Sequence, residues 1–254
     1  SKDWLLAGQV LAPPSVDETG DMWSALTSVF TGTLANGTTS SNCSDWSTSA
    51  GVTTVGSMTG GTQSWTDNMD GNCVDPAHLY CFGNLGTADQ VLAPSTANKR
   101  LAFITASFFV PGSGGITAAD DFCNTEAAAT GNYSTFKALL ATESTSAISR
   151  LTPGQDWVRP DGVTVLDGTL AATGPGLLAP LNVTLWLNYL DKSAKAWTGA
   201  DLLNVALAAE SCGNWSSASG SGRVGRPNLA GAESTFAFTR ACTTADIMLY
   251  CLEE

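Results

Sequence analysis

The chain has 254 residues, a net charge of −12, 43% apolar residues and only 13% charged ones. Its eleven Lys and Arg residues form no run, which argues against nucleic acid, heparin-like polyanions and anionic membranes as partners, since each requires clustered basic side chains. Sparse charge with abundant Ser, Thr, Gly and Asn fits a loop-rich, β-rich extracellular protein, and the length allows one or two domains with a real core.

Residues 1–35 carry Trp4, Trp23 and a Pro13-Pro14 turn. Residues 36–72 are rich in Gly, Ser, Thr and Asn, and read as ordered loops around short strands. Within them, Asp67, Asn68 and Asp70 precede Cys73. Carboxylates and amides so close in sequence can supply oxygen ligands for calcium. The spacing is not that of an EF-hand loop, and Asx turns account for the same residues without a metal. Val74–Phe82 reads as a strand. Gly86 and Pro94 interrupt residues 84–99, which read as a linker.

Arg100–Val110 is predicted to be a central strand; its apolar core from Phe103 is too short to span a bilayer. A turn over Pro111–Gly115 precedes a predicted helix with Thr117 as N-cap and Asp120 and Asp121 in its first turn. Ala119, Cys123 and Ala127 share one face, so Cys123 is expected in the core, and Gly131 ends the helix. Ser134–Leu140 fits either a second helical turn or a strand. Arg150–Leu170 reads as short strands joined by turns, and Thr184–Leu190 as a strand.

Seven cysteines without a CxxC pair, alongside the single His78, disfavour zinc and favour structural disulfides in an oxidising compartment, secreted or at the cell surface. The cysteines also reveal an internal repeat. Cys43-Ser-Asp-Trp46, Cys73 and Leu79-Tyr80-Cys81 recur as Cys212-Gly-Asn-Trp215, Cys242 and Leu249-Tyr250-Cys251. Cys43 lies as far from Cys73 as Cys212 lies from Cys242, a Trp precedes each block (Trp23, Trp197), and each is led by Leu-Ala-Pro. Residues 1–83 thus copy only the back half of residues 100–254.

Four motifs in the second half carry a resemblance. They are Gly115-Ile116-x-Ala118-Ala119-Asp120-x-x-Cys123, then Thr135-Phe136-Lys137-Ala138-x-Leu140, then Ala196-Trp197-x-Gly199-Ala200-Asp201, and finally Cys212-x-x-Trp215 with Cys242 and Leu249-x-Cys251. In this order they resemble the endostatin-like branch of the C-type-lectin-like fold, and a bacterial surface-protein domain family of unknown function. The resemblance implies an α+β, disulfide-stapled domain over residues 100–254, preceded by a partial second copy over 1–83. It implies that Cys123 pairs with Cys251 and Cys212 with Cys242; by the repeat, Cys43 pairs with Cys73. Endostatin's zinc histidines and heparin-binding arginine surface have no counterpart here.

Trp46 and Trp215, each three residues after a half-cystine, are expected to pack on the disulfides as core rather than to stack on sugars. No Ser sits in a Gly-x-Ser-x-Gly elbow and no phosphate-binding Gly motif leads to a Lys, so no catalytic residue is assigned. The expected function is non-enzymatic: adhesion or structural assembly outside the cell. The alternative is a carbohydrate-binding lectin, assisted by calcium at Asp67, Asn68 and Asp70. Cys81 has no partner inside its own block, and the strand ending in Phe82 lacks the strand and helix that the second half supplies. The expectation is that another protein chain, or a cleaved upstream segment, completes residues 1–83. A reduced block that covers its own edge, leaving Cys81 buried and free, is the opposite expectation.

Overall fold

The computed structural model describes residues 10, 13–15, 17, 19, 27–82, 96–170, 176–207 and 209–254. The chain divides into two compact units, Ser1–Pro94 and Ser95–Glu254. It is mostly sheet with few helices, stapled by three disulfides: Cys43–Cys73, Cys123–Cys251 and Cys212–Cys242. Among the described residues no helix is long and apolar enough to cross a membrane.

The first unit holds a three-stranded sheet in the order β1 (Ser28–Phe30), β2 (Val52–Ser57), β3 (Met69–Asn72), all antiparallel. The expected strand over Val74–Phe82 is absent. Among the described residues of this stretch only His78 pairs with the sheet through its backbone, in a parallel bridge to Val29, donating its N–H to Ser28 O and accepting from Phe30 N, both at 3.0 Å. Leu79, Tyr80, Cys81 and Phe82 make no backbone hydrogen bond among the described residues. A strand exists only where a neighbour takes its N–H and C=O groups, and among the described residues no neighbour does.

The second unit is built on β4 (Arg100–Ile104), α1 (Gly115–Ala129), β5 (Phe136–Ala138), β6 (Trp157–Val158), β7 (Thr164–Leu166), β8 (Ala196–Trp197), β9 (Ser221–Gly225), β10 (Phe238–Ala241) and β11 (Met248–Glu253). The sheet order is β10-β9-β8-β11-β4-β6-β7, with β5 also against β11. β11 is the centre. One of its edges pairs with β4 (Cys251 opposite Phe103), while the other pairs first with β8 and then with β5 (Cys251 opposite Ala138). Its alternation separates two cores. Met248, Tyr250 and Leu252 pack with Ile104, Leu139 and Trp157, whereas Leu249 and Cys251 pack with Phe103, Phe136 and the Ala119-Cys123-Ala127 face of α1.

Several expectations need correction. β4 stops at Ile104 rather than running to Val110, because the buried Glu126 carboxylate accepts the N–H groups of Ala106 and Ser107, both at 2.9 Å, and draws the chain out of the sheet. Gly114 (φ 108°) and not Thr117 caps α1, so Asp120 lies beyond its first turn. There Asp120 ties α1 to β5, accepting from Ala138 N (2.8 Å) and pairing with Arg150 (2.6 Å). Gly131 (φ 82°) does follow the helix end. The Ser134–Leu140 stretch forms strand β5. Thr184–Leu190 is a turn: Leu187 has φ 60° and donates to Thr184 O, and Val183 bridges to Tyr189.

A buried polar cluster has no signal in the sequence. Arg159, 1% exposed, forms an ion pair with Asp161 at 2.6 Å and donates to Pro180 O at 2.7 Å. Tyr189 donates to Asp161 Oδ2 at 2.7 Å. Burial and then this carboxylate push the Tyr189 phenol above its ordinary range.

Candidate interaction site

The same local construction occurs in each unit. Cys43, Ser44, Asp45 and Trp46 have φ of 54°, 51°, 55° and 62°, and Cys212, Gly213, Asn214 and Trp215 have 51°, 58°, 57° and 66°. Each is a single left-handed turn, a conformation that costs L-residues roughly 1–2 kcal/mol apiece. Both turns are held in the same way. Trp46 N–H donates to Asn42 O and Trp215 N–H to Ser211 O; Asn42 Oδ1 accepts from Asp45 N, and Ser211 Oγ from Asn214 N. The disulfide anchors the first residue of each turn to the end of the next hairpin.

The strands match residue by residue. Val55 is opposite Met69 and Thr53 opposite Gly71; Val224 is opposite Phe238 and Gly222 opposite Arg240. Phe30 is opposite Val55, and Trp197 opposite Val224. Phe30, and not Trp23, therefore holds the position of Trp197; Trp23 and Trp4 lie outside the described residues. The match extends to side chains. Trp197 and Trp215 meet edge-to-face with centroids 5.7 Å apart, and Phe30 and Trp46 meet tilted at the same distance. Thr198 Oγ1 donates to Thr235 O, as Thr31 Oγ1 does to Thr66 O. The bridge of Val29 to His78 corresponds to the parallel pairing of Ala196 with Met248, which sets Leu79-Tyr80-Cys81 on Leu249-Tyr250-Cys251.

Here the two units part. Leu249, Cys251 and Leu252 are wholly buried, whereas Leu79 is 70% and Phe82 65% exposed, and Cys81 is exposed and free. Trp215 is buried with its indole N–H on Ala141 O at 2.8 Å, while Trp46 is 49% exposed. Trp46 is thus not the core residue expected of it. What covers the second set is β4, α1 and β5, and the first unit has no equivalent among its described residues.

Leu79, Tyr80 and Phe82 instead line an open groove of about 400 Å³ together with Phe30, Thr31 and Trp65. None of its described lining residues carries a charge. Tyr80 donates to Ser57 O at 3.1 Å and lies 5.6 Å from the Trp65 ring, and burial holds its phenol above the usual range. The groove presents aromatic rings and aliphatic side chains beside the amides of Leu79–Phe82, which are unpaired among the described residues.

The other residues singled out from the sequence sit elsewhere. Asp67 Oδ2 accepts from Ala35 N at 3.3 Å, Asn68 N–H donates to Val55 O at 2.9 Å, and Asp70 stands exposed on β3 opposite Thr54. Among the described residues no three His, Cys, Asp or Glu side chains gather as they would around a metal ion. His78 is exposed and acts through its backbone. Of the remaining tryptophans, Trp157 is core, with its indole on Glu253 O, and Trp186 is exposed. A scan against protein-family models finds no match, and neither does a search of curated proteins.

Proposed function

We propose that this is a non-enzymatic extracellular or cell-surface protein of C-type-lectin-like, endostatin-like modules that works in adhesion or surface assembly. Residues 100–254 are its complete module, residues 1–83 a partial one, and residues 84–99 the linker. The observation that carries this reading is the exposed set Leu79, Cys81 and Phe82, at the positions where the second unit buries Leu249, Cys251 and Leu252. A module with that surface open is a half-interface, and half-interfaces serve assembly. The three disulfides support an oxidising compartment.

Non-reducing intact mass of the protein from its native source tests the reading. A mass above that of the chain, with a polypeptide released on reduction, supports assembly through Cys81. Glycan binding abolished by a chelator would instead support the lectin reading through Asp67, Asn68 and Asp70.

A further inference from the structure

We propose that the groove beside Cys81 accepts an apolar strand followed by a thiol-bearing helix, supplied by a second polypeptide and locked to Cys81 by a disulfide. This deepens the assembly reading and rests on it. The chemistry of the occupant is written in the second unit. There β4 adds to the free edge of β11, Phe103 lies opposite Cys251 and edge-on to Phe136, and α1 brings Cys123 to Cys251. The first unit offers the matching half: a His78 anchor, the amides of 79–82 unpaired among the described residues, the Leu79 and Phe82 side chains in solvent, and Cys81 as a free thiol. The exposed cysteine is thus not the only feature. The groove and the bare edge point independently to a strand as ligand, and the cysteine at the corresponding position is bonded to a helix.

An intact second copy of this chain is not the donor. Its β4 and α1 are already engaged with its own β11, and its Cys123 is oxidised. The described groove lining is uncharged, so the strand is apolar rather than charged, of the kind found at Leu101–Ile104. In the locking step, the Cys81 thiol and the partner thiol together give up two electrons and two protons to a low-molecular-weight or protein disulfide. One S–S bond forms between the chains, and the acceptor's S–S bond breaks to two thiols.

A synthetic peptide of residues 98–140, whose only cysteine is Cys123, is the probe, with that sulfur activated as a 2-pyridyl disulfide. Attack by Cys81 forms the mixed disulfide and expels pyridine-2-thione, which is read by absorbance on the full chain. The expected result is one peptide per chain, mapped to Cys81 and released by reductant. Its rate should exceed that of a scrambled peptide by at least about tenfold, because docking raises the local concentration of the reacting sulfur. Leu79→Asp with Phe82→Asp, two exposed positions whose change spares the fold, removes the advantage. Cys81→Ser retains saturable, non-covalent peptide binding by fluorescence anisotropy. Equal rates for native and scrambled peptides, or no saturable binding to Cys81→Ser, would overturn the proposal. That failure is distinct from failure of the assembly reading, which shows as a native mass equal to that of the chain alone.

Discussion

Gly199 leaves no room for a β-carbon beneath Trp215. One built there would lie 2.7 Å from Trp215 Cζ2 and 2.9 Å from Ala141 O, at a φ of +62°. The first unit repeats the contact, with Gly32 at φ +55° and a β-carbon 2.9 Å from Trp46 Cζ2. The neighbours differ in freedom: Trp215 is sealed in the core, while Trp46 has solvent on one side. Gly199→Ala should therefore cost about 2–4 kcal/mol, from left-handed strain plus displaced packing, and Gly32→Ala less, about 1–3 kcal/mol, from the same strain plus a β-carbon 2.9 Å from Asn42 Cβ. Amide exchange in β9 and β2 reports the two units separately.

The same difference appears when the rings themselves are removed. Trp215→Ala empties a fully buried site and orphans Ala141 O, for an expected loss of about 3–5 kcal/mol. Trp46→Ala should cost well under half of that. Chemical denaturation of the two variants checks the order, and equal losses would show that Trp46 is as enclosed as its counterpart.

Cys123–Cys251 closes a sequence separation of 128 and Cys212–Cys242 one of 30. Constraint of the unfolded chain is then worth about 4–5 kcal/mol for the first and about 3–4 kcal/mol for the second. The double Ser variant of the long bridge should lower the denaturation midpoint more than that of the short one.

Tyr250 is fully buried with its hydroxyl on Ser234 O at 3.0 Å, and burial raises its phenol well above the ordinary range. Because the folded state holds this proton more tightly than the unfolded state, the contribution is complete below about pH 10 and is lost as pH rises beyond it. Thermal midpoints should fall steeply above pH 10. Tyr250→Phe should be less stable at neutral pH by about 1 kcal/mol, from the lost hydrogen bond, but should decline less with alkali.

The features legible in the sequence are those that residue identity fixes. Cys-x-x-Trp and Leu-Tyr-Cys mark corresponding places in both units, and the small Ala119-Cys123-Ala127 face marks the buried side of α1. Relations set by a neighbour were not legible. Matching Trp23 to Trp197 followed residue type, whereas strand register assigns the place to Phe30. Val74–Phe82 carries a strand pattern, but a pattern does not supply a partner. Trp46 and Trp215 follow identical motifs, and only what lies above them decides which one is buried. Cys43, Ser44, Asp45 and Trp46 give no hint of a left-handed turn, since none is glycine; Gly213 and Asn214 in the second copy were the available clue.

The central claim is that the edge at Leu79–Phe82 is open where that at Leu249–Leu252 is closed. Residue-resolved amide hydrogen exchange on the purified chain tests it most directly. The account predicts exchange at Leu79, Tyr80, Cys81 and Phe82 near the rate of an unprotected chain, strong protection at Leu249 through Leu252, and slowed exchange at the first set once the 98–140 peptide is bound. Strong protection of Leu79–Phe82 in the free chain would contradict it, because that edge would then already be paired.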